Sequence, residues 1–213
     1  RQIHKALRAY LTDTLLNIGR MDLTSSSDLH AGLTQLRELL DFCESHLQHE
    51  NEFIHPAMNT CRPGSADDMN EHHQHHVHMI EELRAAADQL LAVHHYEREQ
   101  FGAQLYRKLA LFVADNLAHM HEEETVNNHI LWECYSDAEI HAIHGAILQA
   151  VTPQENAVVM QWMLPSLNHQ ERHELLSGMR REAPQPVFEG TLEIARQNLP
   201  RSEWNKLQFA LAC

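Results

Sequence analysis

The sequence predicts an all-α protein, an up-down-up-down four-helix bundle followed by a C-terminal appendage of short helices. Apolar residues recur at three- and four-residue steps along most of the chain, the period of a helix with one buried face. Only seven Gly and seven Pro punctuate 213 residues, and no stretch alternates polar with apolar as a half-buried strand would. An apolar content of 43% is enough to bury a real core.

The first helix carries His4, Leu7, Leu11, Leu15 and Ile18 on one stripe and ends near Gly19. The polar run Thr24 to Asp28 then supplies a cap for the second helix. Its stripe is Leu36, Leu39, Cys43, His46, Glu50 and Phe53, closed by Pro56. Arg62-Pro63-Gly64 forms a loop before the third helix, whose stripe is His72, His76, Met79, Ile80, Leu83, Ala87 and Leu90. The fourth runs through Leu105, Leu109, Phe112, Asn116, His119 and Glu123. Short connections make sequential helices antiparallel neighbours, so residues 1–135 read as the bundle. Residues 136–213 read as the appendage, with capping boxes at Ser136/Glu139, Thr152/Glu155 and Asn168/Glu171 and helix breaks at Pro165, Pro184, Pro186 and Pro200. Its apolar residues are expected to cover one side of the bundle.

A formal charge of −14 disfavours nucleic acid and anionic lipid surfaces as partners, because both are bound through clustered Lys and Arg. No apolar run reaches membrane-spanning length, and the opening Arg-Gln-Ile-His is unlike a signal peptide. The absent initiator Met leaves a trimmed N-terminus open. Cys43, Cys61, Cys134 and Cys213 show no paired spacing, which fits reduced thiols in a cytoplasm. The unusual count is 19 histidines, since His is the commonest metal ligand.

Three segments repeat one arrangement: His46 four residues before Glu50, His72 four before His76, and His119 four before Glu123. Residues at that spacing share one helical face. Other His and Glu pairs match it by chance, but these three and His4 fall within the apolar stripes and, by helix length, at one end of the bundle. A metal-free interior layer of seven such groups is costly, because a buried carboxylate without a partner is penalised by several kcal/mol. Two cations bridged by the carboxylates remove that cost and leave one coordination position open. A nitrogen and oxygen set without thiolate suits iron or manganese. Glu124 competes with Glu123 for the last position, and the crowded run His72, His73, His75, His76 and His78 leaves the third helix ambiguous.

Across residues 1–130, the ordered set of His4, His46 with Glu50, His72 with His76, and His119 with Glu123 resembles the hemerythrin-like, HHE cation-binding family of bacterial type. The resemblance implies two non-haem iron ions, carboxylate-bridged and oxo- or hydroxo-bridged. One is held by His72, His76 and His119, the other by His4 and His46, with Glu50 and Glu123 between them. Animal members place an Asp five residues after the last His, whereas this chain offers Glu at four and at five. The implied function is binding of O2 or NO for sensing, storage or delivery. The alternatives are an oxidoreductase consuming peroxide or NO, an iron donor for iron–sulfur centre repair, and a metal-dependent regulatory protein with a protein partner or a second copy of itself. A ferritin-type oxidase is disfavoured, since only Glu52 with His55 supplies its Glu-x-x-His motif. His49, His55, His73 and the remaining histidines are expected to be solvated, with His49 and His73 as candidates for groups supporting the ligands. Met69, Met79 and Met120 are expected to wall the site, and Tyr10 and Tyr106 to pack.

Overall fold

The computed structural model describes residues 2–212, and among these all regular structure is helical. They fall into two compact units, residues 10–150 and residues 2–9 with 151–212. The all-α bundle expected from the sequence is what forms.

In the first unit α1 (Gln2–Arg20) contributes its residues from Tyr10 onward, followed by α2 (Ser26–His49) and a π-helical turn at Glu50–Ile54. Then come α3 (His55–Cys61), α4 (Asp67–Ala92), α5 (Arg98–Glu122), a second π-helical turn at Glu123–Asn127, α6 (Asn128–Cys134) and α7 (Asp137–Ala150). Ser25 caps α2 by accepting the Asp28 N–H. Gly64, at φ +82°, supplies the left-handed residue of the turn into α4.

Contacts fix the helix directions. Arg84 bonds Asp41 and Glu44 while Asp88, one turn on, bonds the earlier Arg37, so α2 and α4 are antiparallel. Likewise Glu82 meets Lys108 while the earlier His76 meets the later Asp115, so α4 and α5 are antiparallel. Between them lies a core of Leu33, Leu36, Leu40, Ile80, Leu83, Leu90, Leu105, Leu109 and Phe112, all buried. Each such side chain contributes about 1.5–3 kcal/mol on leaving water. The Phe112 ring, 6.0 Å from that of His76, marks where apolar layers give way to polar ones.

Two sequence expectations are corrected here. Pro56 does not close the second helix, because it sits in the first positions of α3, where no N–H is required, and the rod continues to Cys61. Nor are all thiols reduced, since Cys61 and Cys134, 73 residues apart, form a disulfide with their Cα atoms 5.7 Å apart. They end α3 and α6, which pack through Met58, Ile130 and Leu131, with Ala66 from the turn before α4 in the same cluster. The Arg62–Glu133 ion pair at 2.6 Å and the Tyr135 hydroxyl donating to the Ala57 carbonyl tie the same ends together. The bond removes the argument for a reducing compartment. Among the described residues no helix is long and apolar enough to cross a membrane.

The second unit is built of α8 (Pro153–Ser166), α9 (His169–Glu182), α10 (Gln185–Asn198) and α11 (Arg201–Ala212) with the first turns of α1. Capping boxes start α8 at Thr152 and α9 at Asn168. Met163, Leu164, Leu176, Phe188 and Leu207 bury a core that includes Ala6. Lys5 pairs with Glu171 at 2.6 Å. The buried Arg172 is satisfied by donating to the Leu164 carbonyl and to Glu203.

Candidate metal centre

The first unit repeats one local design. The last turn of α2 carries His46 and the π turn after it opens on Glu50; the last turn of α5 carries His119 and its π turn opens on Glu123. In each, the first residue beyond the turn, His55 or Asn128, donates its N–H to the carboxylate residue's carbonyl, five residues back. Such wide turns are rare and cluster at functional sites. The pairs are close: His46 Nε2 lies 3.3 Å from Glu50 Oε1, and His119 Nε2 lies 3.2 Å from Glu123 Oε1.

From α4, His73 reaches between them. Its Nε2 stands 3.1 Å from His119 Nε2, 3.7 Å from Glu50 Oε2 and 4.0 Å from Glu123 Oε1. Glu50, His73, His119 and Glu123 each turn a ligand atom to a point where all lie within 4.8 Å of one another, and His46 is as close to Glu50 and Glu123. At its other ring nitrogen, His73 Nδ1 is 2.8 Å from Asn51 Oδ1. A carbonyl oxygen only accepts, so Nδ1 carries the proton and Nε2 presents its lone pair inward, the tautomer a metal requires.

His72, expected as a ligand, lies outside the cluster: its side chain is 45% exposed and pairs with Glu122 at 3.5 Å. The reason is helical register. Met69, His73, His76, Ile80, Leu83, Ala87 and Leu90 are the buried residues of α4, and their steps alternate strictly between four and three. Extending the stripe backward from His76 therefore requires a step of three to His73, and the step of four to His72 leaves the buried face. His76 is 1% exposed, its Nε2 is 2.8 Å from Asp115 Oδ2, and its ring is 4.8 Å from that of His119. With Nε2 bound to the carboxylate, its buried Nδ1 has no hydrogen-bond partner. His4 lies on α1 within the second unit, with its side chain buried.

The electrostatics are those of a site short of positive charge. Burial, reinforced by the charge of Glu123, pushes the Glu50 carboxyl well above the usual range. Burial also works against ionising Glu123, but the hydrogen bond and charge of His119 outweigh it and hold that group below the usual range. The two carboxyls are thus pushed in opposite directions, as close pairs are. Burial and the neighbouring His119 lower His73 to about 3 and His76 to about 4, so both imidazoles are neutral near pH 7. Imidazole nitrogens gathered around two carboxylates, with no thiolate, form a donor set for hard or borderline cations such as iron or manganese. The remaining thiol nearby in sequence, Cys43, is pushed up to about 12 by burial and stays protonated.

Sequence reasoning named His73 only as a group supporting the ligands, expected His55 to be solvated, and did not single out Asn51, Asn70 or Asp115. His55 is 3% exposed rather than solvated, its Nδ1 lies 2.7 Å from Asn70 Oδ1, and its ring is 4.6 Å from that of His73. Glu123 is buried while Glu124 is half-buried. Met69 and Met120 are buried in the first unit, Tyr10 donates weakly to the Gln35 carbonyl at 3.4 Å, and Tyr106 is exposed.

Residues 1–128 match the family model described as Hemerythrin HHE cation binding domain. No curated protein and no solved structure matches the chain.

Proposed function

Because the chain belongs to the hemerythrin HHE cation-binding family, we propose that it is a di-iron protein that binds O2 or NO reversibly, for sensing, storage or delivery. The observation that carries this reading is a pair of buried carboxylates, Glu50 and Glu123, flanked by His46 on one side and by His73 and His119 on the other. Glu50 and Glu123 would be shared by the two ions, with His73 and His119 holding one and His46 the other. On the sequence pattern His4 joins His46, and His76 remains a further ligand held by Asp115. Iron so held would offer a coordination position to a diatomic ligand. The protein holds the imidazoles in their metal-binding tautomers, through Asn51 for His73, and keeps bulk water from the carboxylates.

Metal analysis with absorption spectra under O2, azide and NO tests the reading. About two irons per chain and a charge-transfer band of a bridged pair are expected, and a single tetrahedral zinc would sink it. Turnover of peroxide or NO that disappears in His46→Ala would instead make the protein an oxidoreductase.

A further inference from the structure

We propose that His55 is a metal ligand, its Nε2 completing the position formed by His73, His119 and the carboxylates. This rests on the di-iron reading and extends it to a residue outside the His and Glu pairs. The first observation is an unfilled lone pair. His55 Nδ1 is bound to the carbonyl oxygen of Asn70 and therefore carries the proton, so Nε2 is an acceptor; it is buried and has no hydrogen-bond partner. Leaving a buried acceptor unsatisfied costs about 1–3 kcal/mol.

The second observation is where that ring sits. The His55 ring is 4.6 Å from His73, whose own Nε2 lies in the cluster, and the charges of Glu123 and His119 both act on it. The Glu123 carboxylate and the Nε2 lone pair of His73 cannot satisfy the His55 Nε2, because both are acceptors too. A cation among them satisfies all at once. His55 and His73 are also held alike, each with Nδ1 on an asparagine oxygen and Nε2 turned away from it.

The third is the backbone that brings His55 inside. In an uninterrupted α-helix at about 100° per residue, position 55 lies on the far side of the rod from His46. The π turn at Glu50–Ile54 takes up one extra residue and rotates the rest of the rod by about 100°, bringing His55 round toward the face of Glu50. With His72 facing solvent, His55 supplies from α3 the nitrogen that the sequence pattern assigned to α4.

The test titrates cobalt(II) into the apo full-length protein and tracks stoichiometry, affinity and the visible d–d spectrum, beside far-UV circular dichroism and melting of each apo variant. Wild type is expected to bind about two ions per chain; failure of wild type to bind sinks the di-iron reading, whatever His55 does. His55→Phe keeps the ring volume and removes the nitrogens. It is expected to lose one of the two tight sites and the corresponding d–d band, and unchanged binding and spectrum would overturn the proposal. Should His55→Phe fail to fold, Asn70→Ala decides, because it leaves the ring and removes only its tether. A 10–100-fold loss of affinity is expected there, and wild-type affinity in a folded Asn70→Ala protein would overturn the assignment.

Discussion

At the scale of single residues, one position along α4 decides which histidine joins the cluster with Glu50 and Glu123. His73→Ala is expected to lower metal affinity by about 10–100-fold or more, whereas His72→Ala, altering a half-exposed group paired with Glu122, leaves it within about twofold. Equilibrium dialysis against iron or cobalt distinguishes them, and the reverse order would refute the register. Acid sensitivity of the apo protein arises from the same buried rings. His73 and His76 titrate at about 3 and about 4 when folded but near 6.5 when unfolded. The unfolded state therefore binds protons first, so stability contributed by the neutral rings is full above pH 6.5 and declines from there toward pH 4. Metal-free protein monitored by denaturant midpoints should weaken over that window, and His73→Phe should flatten the slope. His46, Glu50, His119 and Glu123 were legible in the sequence because stripe and His-x-x-x-Glu spacing agree. His73 was also legible, in the strict alternation of fours and threes down to Leu90. His55 was not, because its inward turn depends on a hydrogen-bond shift that no residue type marks.

At the scale of elements, the two π turns determine what the rods present. Both rods run from a His through a Glu to a π turn and end on a Cys fifteen residues after the His, His46 to Cys61 and His119 to Cys134. That equal spacing was the signal for the disulfide, hidden because the cysteines are far apart along the chain. Deleting the exposed Glu52 is expected to restore an ordinary α turn, rotating Cys61 away by about 100°. Helical content should persist while two thiols become titratable under denaturing conditions; an intact bond would show that the turn does not set the register. The capping boxes of α8 and α9 were read directly from sequence, and their contribution is local. Asn168→Ala should cost about 1 kcal/mol by chemical denaturation.

At the scale of the whole molecule, the helical class was readable from period and composition alone, but the joining of α3 to α6 was not. A cross-link spanning 73 residues restricts the unfolded chain and contributes about 4 kcal/mol in the loop-entropy account. Cys134→Ser should therefore lower the denaturation free energy of the metal-free protein by roughly 2–5 kcal/mol. Bound metal stabilises separately, by an amount that grows with the logarithm of its free concentration, so chelation should lower the melting temperature of both wild type and variant. The cross-link also bears on the protein's behaviour after the ions leave. With the ends of the two carboxylate-bearing rods chained together, Glu50 and Glu123 remain at high effective concentration for each other even when nothing lies between them. An emptied protein is thus poised to recapture a metal ion without first searching for its own fold, and a dithiol that opened the bond at the exposed Cys134 would slow that reloading.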